Sequence, residues 1–138
     1  MTDDHKAIEE ANTGFYRAFE ALDLRAMEDV WAHGEHVQCV HPGWPLLIGW
    51  GAVRASWEAI FANTQEMSFS LTHVRSAGAG DLAWVTCTEN ILSETDGRVG
   101  VTAILATNLF ERSPDREGGG GWRMVHHHAS HVLSRAAL

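Results

Sequence analysis

The sequence predicts an α+β domain on three observations. Apolar residues in the first half recur at steps of three and four, as on one face of a helix. Those in the second half alternate, as on a half-buried strand. The helical segments stand together ahead of the long strands, which is the order of an α+β chain. A long twisted sheet in that order wraps around the helices and leaves a hollow between the layers.

The elements follow in turn. Ile8, Ala11, Phe15, Ala18, Phe19 and Leu22 line one face of a first helix. Thr2 is placed to cap it, and Asp3 and Asp4 suit the positive end of its dipole. Asp23 reads as the N-cap of a short second helix, with Leu24, Met27, Val30 and Trp31 as its buried stripe and Gly34 as its end. Residues 37–41 alternate as a strand, and Pro42-Gly43-Trp44-Pro45 stops it. A third helix runs over about 51–63, with Val53, Trp57, Ile60 and Phe61 on its apolar face. Residues 67–72 form the first long strand and 76–81 a Gly/Ala-rich turn. Residues 82–93 and 98–112 form two more strands around Asp96-Gly97, a pair that supplies the positive φ of a type I′ hairpin. Residues 113–121, with their run of glycines, form a loop, and 122–133 the last strand. No repeat or internal boundary interrupts the chain, so residues 1–138 read as one domain.

Composition narrows the function. The chain is 45% hydrophobic, enough for a packed core, and carries a net charge of −8 with histidines neutral. Lys6 is the only lysine and the arginines are scattered, which argues against nucleic acid and against an anionic membrane surface. Cys39 and Cys87 sit in apolar runs and read as buried free thiols. The acidic start of the chain is unlike a signal peptide, and no apolar run approaches the roughly 20 residues of a membrane span, so the expected compartment is the cytoplasm. Phosphate-binding, dinucleotide-binding, Cys-x-x-Cys and serine-hydrolase motifs are absent, and no cofactor is implied. Nine histidines make the charge sensitive to pH between about 5 and 7.

Three stretches carry a resemblance. Gly49-Trp50-Gly51-Ala52-Val53-Arg54 leads into Ser56-Trp57-Glu58; Ala106-Thr107-Asn108-Leu109-Phe110 follows; Gly121-Trp122-Arg123-Met124-Val125-His126-His127-His128-Ala129-Ser130 comes last. In this order they resemble the SnoaL-like group of the nuclear transport factor 2-like, or ketosteroid-isomerase-like, superfamily. The resemblance spans nearly the whole chain. It implies a cone-shaped α+β roll, a curved antiparallel sheet around three N-terminal helices with one deep pocket, commonly a homodimer through the sheet's outer face. The fold hosts isomerases, cyclases, dehydratases, epoxide hydrolases and non-catalytic binding domains, so it does not by itself assign an activity. The isomerases' general-base Asp precedes a Pro, and the matching dipeptide here is His41-Pro42. Their oxyanion-holding Tyr falls near Phe15, with Tyr16 beside it. His41 would then be a base with a pKa nearer neutrality than Asp.

Turn arithmetic predicts which side chains share the pocket. A two-residue Asp96-Gly97 loop pairs Thr95 with Arg98, which sets Val85 opposite Asn108, Cys87 opposite Ala106 and Glu89 opposite Ile104. Pairing Arg112 with Trp122 sets Asn108 opposite His126 and Ala106 opposite His128. The inner face would then hold Ala83, Val85, Cys87, Glu89, Ile104, Ala106, Asn108, Phe110, Trp122, Met124, His126 and His128. The outer face would hold Trp84, Thr86, Thr88, Leu105, Thr107, Leu109, Arg123, Val125, His127 and His131, with a composition suited to a subunit interface.

Each candidate has two readings. His126 and His128 are either buried structural histidines or pocket acids and bases. His-x-His on a strand also chelates metal, but no third ligand is spaced for it, and no metal is assigned. Glu89 either sits at a wet mouth or orients one of these imidazoles. Asn108 is a core amide or an oxyanion donor. Trp44 and Trp57, with Trp50, are core and lid packing or an aromatic wall for a flat apolar ligand. Tyr16 carries a phenol that needs a partner if buried. The resulting expectation is a pocket protein for a small apolar ligand, with acid–base chemistry on a cyclic or polyketide-like substrate. His41 is the base, and Asn108, His126 or Tyr16 holds the oxyanion. The alternative is a non-catalytic ligand-binding or assembly module on the same fold.

Overall fold

Helix α1 spans Asp3–Ala21 and buries Ile8, Phe15, Ala18 and Phe19, with Asn12 and Tyr16 on the same buried face. The structure is a computed structural model, and it describes residues 3–95, 97–113 and 121–133. The expected Thr2 cap, Asp96 and residues 114–120 of the glycine loop lie outside the described residues. At the end of α1, Leu22 takes the left-handed region with φ 55°. The Asp23 amide reaches back to the Ala18 carbonyl at 3.1 Å and the Leu22 amide to Phe19 at 3.0 Å, a Schellman closure. Asp23 then starts α2, Leu24–Val30, its carboxylate accepting from the Ala26 amide at 3.1 Å. Asp23→Ala is expected to lower stability by about 1 kcal/mol in urea unfolding, because that amide loses its cap. Helix α2 stops before Gly34. Trp31 turns extended, bridges to Met124, and Ala32 donates to the Met124 carbonyl at 3.0 Å, so the sheet edge takes over the chain.

Strand β1 is Gln38–Val40 and β2 is Leu47–Ile48, a two-residue partner too short to register as a pattern. Helix α3 follows at Trp50–Ala62. Gly49 stands before it at φ 89°, its amide on the Val37 carbonyl at 2.8 Å, a backbone shape that favours glycine. The long strands are β3 (Glu66–Ala79), β4 (Leu82–Thr95), β5 (Arg98–Ser113) and β6 (Gly121–His131). The sheet order is β2-β1-β6-β5-β4-β3. The sheet is mixed rather than wholly antiparallel, because β1 runs parallel to β6. Residues 76–79 belong to β3 and not to a turn: the reversal is confined to Gly80-Asp81, with Gly80 at φ 62°. A bulge at His73-Val74, with His73 at φ 55°, breaks the alternation there.

The β4–β5 register is the one the Asp96-Gly97 arithmetic predicts, from Thr95–Arg98 through Val85–Asn108 to Leu82–Glu111. The β5–β6 register starts as predicted, with Arg112 opposite Trp122 and Phe110 opposite Met124. It then slips. Leu109 faces His126, so β6 carries one extra residue and every later side chain changes face. His127 therefore points inward and is 1% exposed, whereas His126 and His128 lie on the outer face. The inward placement expected for His126 and His128 is overturned by that single bulge.

Helix α1 packs across β3, β4 and β6, and α3 packs on β1 and β2. The core between the layers is aromatic: Phe15 and Phe19 meet Trp57 edge-on at 5.6 and 4.8 Å, and Phe19 meets Phe69 at 4.6 Å. Cys39 and Cys87 are buried and free. No helix among the described residues is long and apolar enough to cross a membrane.

Candidate functional site

Strand alternation on β1 sends Val37, Cys39 and His41 inward. His41 is buried against Trp57 at 4.7 Å and Trp44 at 4.9 Å, both edge-on. The Ser56 hydroxyl donates to the Val53 carbonyl at 2.6 Å, so it accepts from His41 Nε2–H at 2.8 Å. Ser56 is thus a holder of the imidazole rather than a nucleophile aimed at a substrate. Burial pushes the His41 pKa down to about 4. Burial thus works against the base role expected of His41, because it disfavours the charged imidazolium.

A second polar chain crosses the core from β6 to β4. His127 Nδ1–H donates to Asn108 Oδ1 at 2.6 Å. Asn108 Nδ2 donates to Asn12 Oδ1 at 2.9 Å and to the Tyr16 hydroxyl at 3.2 Å. Tyr16 donates to Glu89 Oε2 at 2.5 Å, with Cys87 Sγ at 3.4 Å from the same hydroxyl. Tyr16 thereby takes the partner its phenol needs. Among the described residues it is the only hydrogen-bond partner of Glu89, which is 2% exposed. Desolvation raises the Glu89 pKa to about 7, the Tyr16 bond pulling the other way. Glu89 therefore orients neither His126 nor His128, and His127 is oriented by Asn108.

Phe15 sits between the two groups, its ring 4.8 Å from both Tyr16 and His127, while His41 and His127 lie 6.3 Å apart. One atom in this region is unsatisfied. The Trp57 indole N–H is buried and has no hydrogen-bond partner among the described residues, as is also true of Trp31 and Trp122 elsewhere in the core. Such an orphan donor costs about 1–3 kcal/mol.

The structure thus gathers His41, Trp44, Trp57, Tyr16, Glu89 and Asn108 into one region and sends His126 and His128 away from it. It adds three residues the sequence reading did not single out as site residues. Asn12 occupies an apolar-stripe position four residues after Ile8 and four before Tyr16, a signal that was readable. Ser56 stands one turn past Val53 on the inward face of α3. His127 carried no local signal, because only the bulge turns it inward.

On the outer face, His126 and His128 have ring centroids 6.1 Å apart. They line a shallow groove of about 380 Å³ with Leu105, Thr107, Leu109 and Ser130. No group of three or more His, Cys, Asp or Glu able to hold a metal ion occurs among the described residues.

Comparison with known proteins places this geometry. The SnoaL-like domain matches residues 8–134. The chain belongs to the SnoaL-like family. Its fold is that of the nuclear transport factor 2-like superfamily. A crystal structure of a candidate dehydratase of that superfamily from Streptomyces avermitilis is 40% identical with a TM-score of 0.86, covering 96% of this chain and 98% of its own. A candidate calcium/calmodulin-dependent protein kinase type II association domain from Thiobacillus denitrificans is 36% identical with a TM-score of 0.79, covering 91% and 94%. The F-box protein SKIP8 of Arabidopsis thaliana is 34% identical over 93% of this SnoaL-like chain, which spans 51% of that relative.

Proposed function

We propose that this SnoaL-like protein binds a small apolar cyclic or polyketide-like ligand and moves protons on it, without a cofactor, with Glu89 as the proton carrier. The supporting observation is a buried carboxyl with no cation beside it among the described residues, pushed by burial to a pKa of about 7 and hydrogen-bonded to a phenol. A group with that pKa gives and takes a proton with nearly equal ease at neutral pH. Glu89 removes a proton from a carbon next to a carbonyl. The orphan Trp57 N–H supplies a donor for the oxygen that becomes negative, in surroundings dry enough to strengthen that bond. Returning the proton to another carbon gives an isomerisation, and passing it to a β-hydroxyl, which then leaves as water, gives a dehydration. The dehydratase name of the Streptomyces avermitilis neighbour fits the second outcome. His41, Trp44 and Asn108 shape and position the site in this reading.

A second reading is a non-catalytic assembly or ligand-binding module. It is favoured by the way the interior polar groups close on one another around Phe15, and by an apolar outer face. Leu82, Trp84, Leu92, Val99, Val101 and Leu105 stay exposed there. We infer that this face pairs with a second copy. The association-domain name of the Thiobacillus denitrificans neighbour is in keeping with that pairing.

The test is proton exchange in D2O, read by NMR on a panel of cyclic ketones and 1,3-diketones. Protein-dependent loss of α-proton signals, abolished in Glu89→Gln and kept in His41→Phe, is the expected result. No exchange on any panel member, together with no ligand-induced shift of the Trp57 indole resonance, would sink the catalytic reading.

A further inference from the structure

We propose that His126 and His128 hold a borderline transition-metal ion, such as zinc, at a two-fold contact between two copies of this chain, each copy giving two imidazoles. The proposal rests on the outer-face pairing inferred above.

The geometry of the pair is the first support. Two imidazoles sharing one tetrahedral zinc have centroids roughly 5 Å apart, given Zn–N bonds of about 2.0–2.1 Å. The 6.1 Å found here closes to that by modest side-chain rotation. Both rings project from one strand face, two residues apart, so the backbone between them need not move.

The surroundings are the second. Neither ring hydrogen-bonds to any described residue, a trait shared with His73 and His131 and not with His5, His33, His36, His41 and His127. The β6 neighbours across the ladder are Gln38 and Val40 on β1 and Thr107 and Leu109 on β5, so no carboxylate or cation faces the pair from either side. Thr107 and Ser130 border the same groove and offer hydroxyls to the ring nitrogens that do not bind the ion, as outer partners of metal-bound histidines commonly do.

Incompleteness is the third. Imidazole nitrogens suit zinc, copper and nickel, but two fill only half of a tetrahedral shell. No third His, Cys, Asp or Glu of the described residues joins them. A two-fold axis through the groove supplies the missing pair from the same two positions, because such an interface sets each residue's surface against its own copy.

The experiment uses the full chain, free of any affinity tag and stripped with EDTA. Zinc chloride is added, and uptake is followed by calorimetry alongside sedimentation velocity. The expected result is one zinc per two chains, a dimer strengthened by zinc, and loss of both effects in His128→Ala, whose exposed side chain leaves the core untouched. Uptake unchanged in His128→Ala, or one zinc per chain with no association, would overturn the bridge. A dimer indifferent to zinc would also overturn it while leaving the outer-face pairing intact, and a monomer under every condition would remove both.

Discussion

Asn108→Ala is expected to lower stability by about 3–5 kcal/mol, measured by urea unfolding at fixed protein concentration. Asn108 is fully buried and serves three partners at once. Truncation strands the His127 Nδ1–H and the Asn12 carbonyl oxygen in a dry interior and leaves a void between His127, Asn12 and Tyr16. Each stranded group costs about 1–3 kcal/mol, because no solvent reaches it to replace the lost bond. Tyr16 is affected less, since it keeps its bond to Glu89. A loss below about 1 kcal/mol would mean that water enters and satisfies these groups, and the dry interior argued above would not hold.

Glu89 and His41 are expected to tilt the pH dependence of stability in opposite directions. The Glu89 carboxyl is raised from 4.5 to about 7 in the fold, so the native state holds that proton more tightly than the unfolded chain does. Its contribution is present at low pH and is lost as pH rises from about 4.5 to about 7. His41 is lowered from 6.5 to about 4, so the unfolded chain takes up a proton that the native state refuses. That contribution is lost as pH falls from about 6.5 to about 4. Each shift corresponds to roughly 3 kcal/mol. Over the shared window the two slopes offset each other in the parent protein, and single variants expose them. Relative to the parent, Glu89→Gln should gain stability as pH rises from 4.5 to 7. His41→Phe, which keeps a ring against Trp44 and Trp57, should gain it as pH falls from 6.5 to 4. Urea midpoints at several pH values read both. A level difference between Glu89→Gln and the parent would show that Glu89 is not desolvated, and the proton-carrier role would go with it.

Much of the site was legible because turn chemistry and alternation are local. The two-residue turn read from Asp96-Gly97 predicts the β4–β5 register that is found, and with it the inward direction of Glu89 and Asn108. The apolar stripe of α1 brings Tyr16 to the same face. The β6 histidines were misread for a physical reason. A hairpin's turn sets the pairing only as far as the first bulge, and the extra residue near Val125 has no composition that marks it. Asn12 was readable and overlooked, since a polar residue on an apolar stripe must find a buried partner.

The amino-acid order alone determined the α+β class, the helix faces and one long hairpin register, because periods of 3.6 and 2 and positive-φ turns act over a few residues; the family rested on the resemblance of its motifs. Tertiary structure decided which of three consecutive histidines enters the core, that β1 lies parallel to β6, and that Glu89 and His41 are both buried, which pushes the first up and the second down in pKa. Those outcomes depend on desolvation and on contacts between separate elements, from Asn108 and His127, 19 residues apart, to Tyr16 and Glu89, 73 apart, which no local pattern encodes.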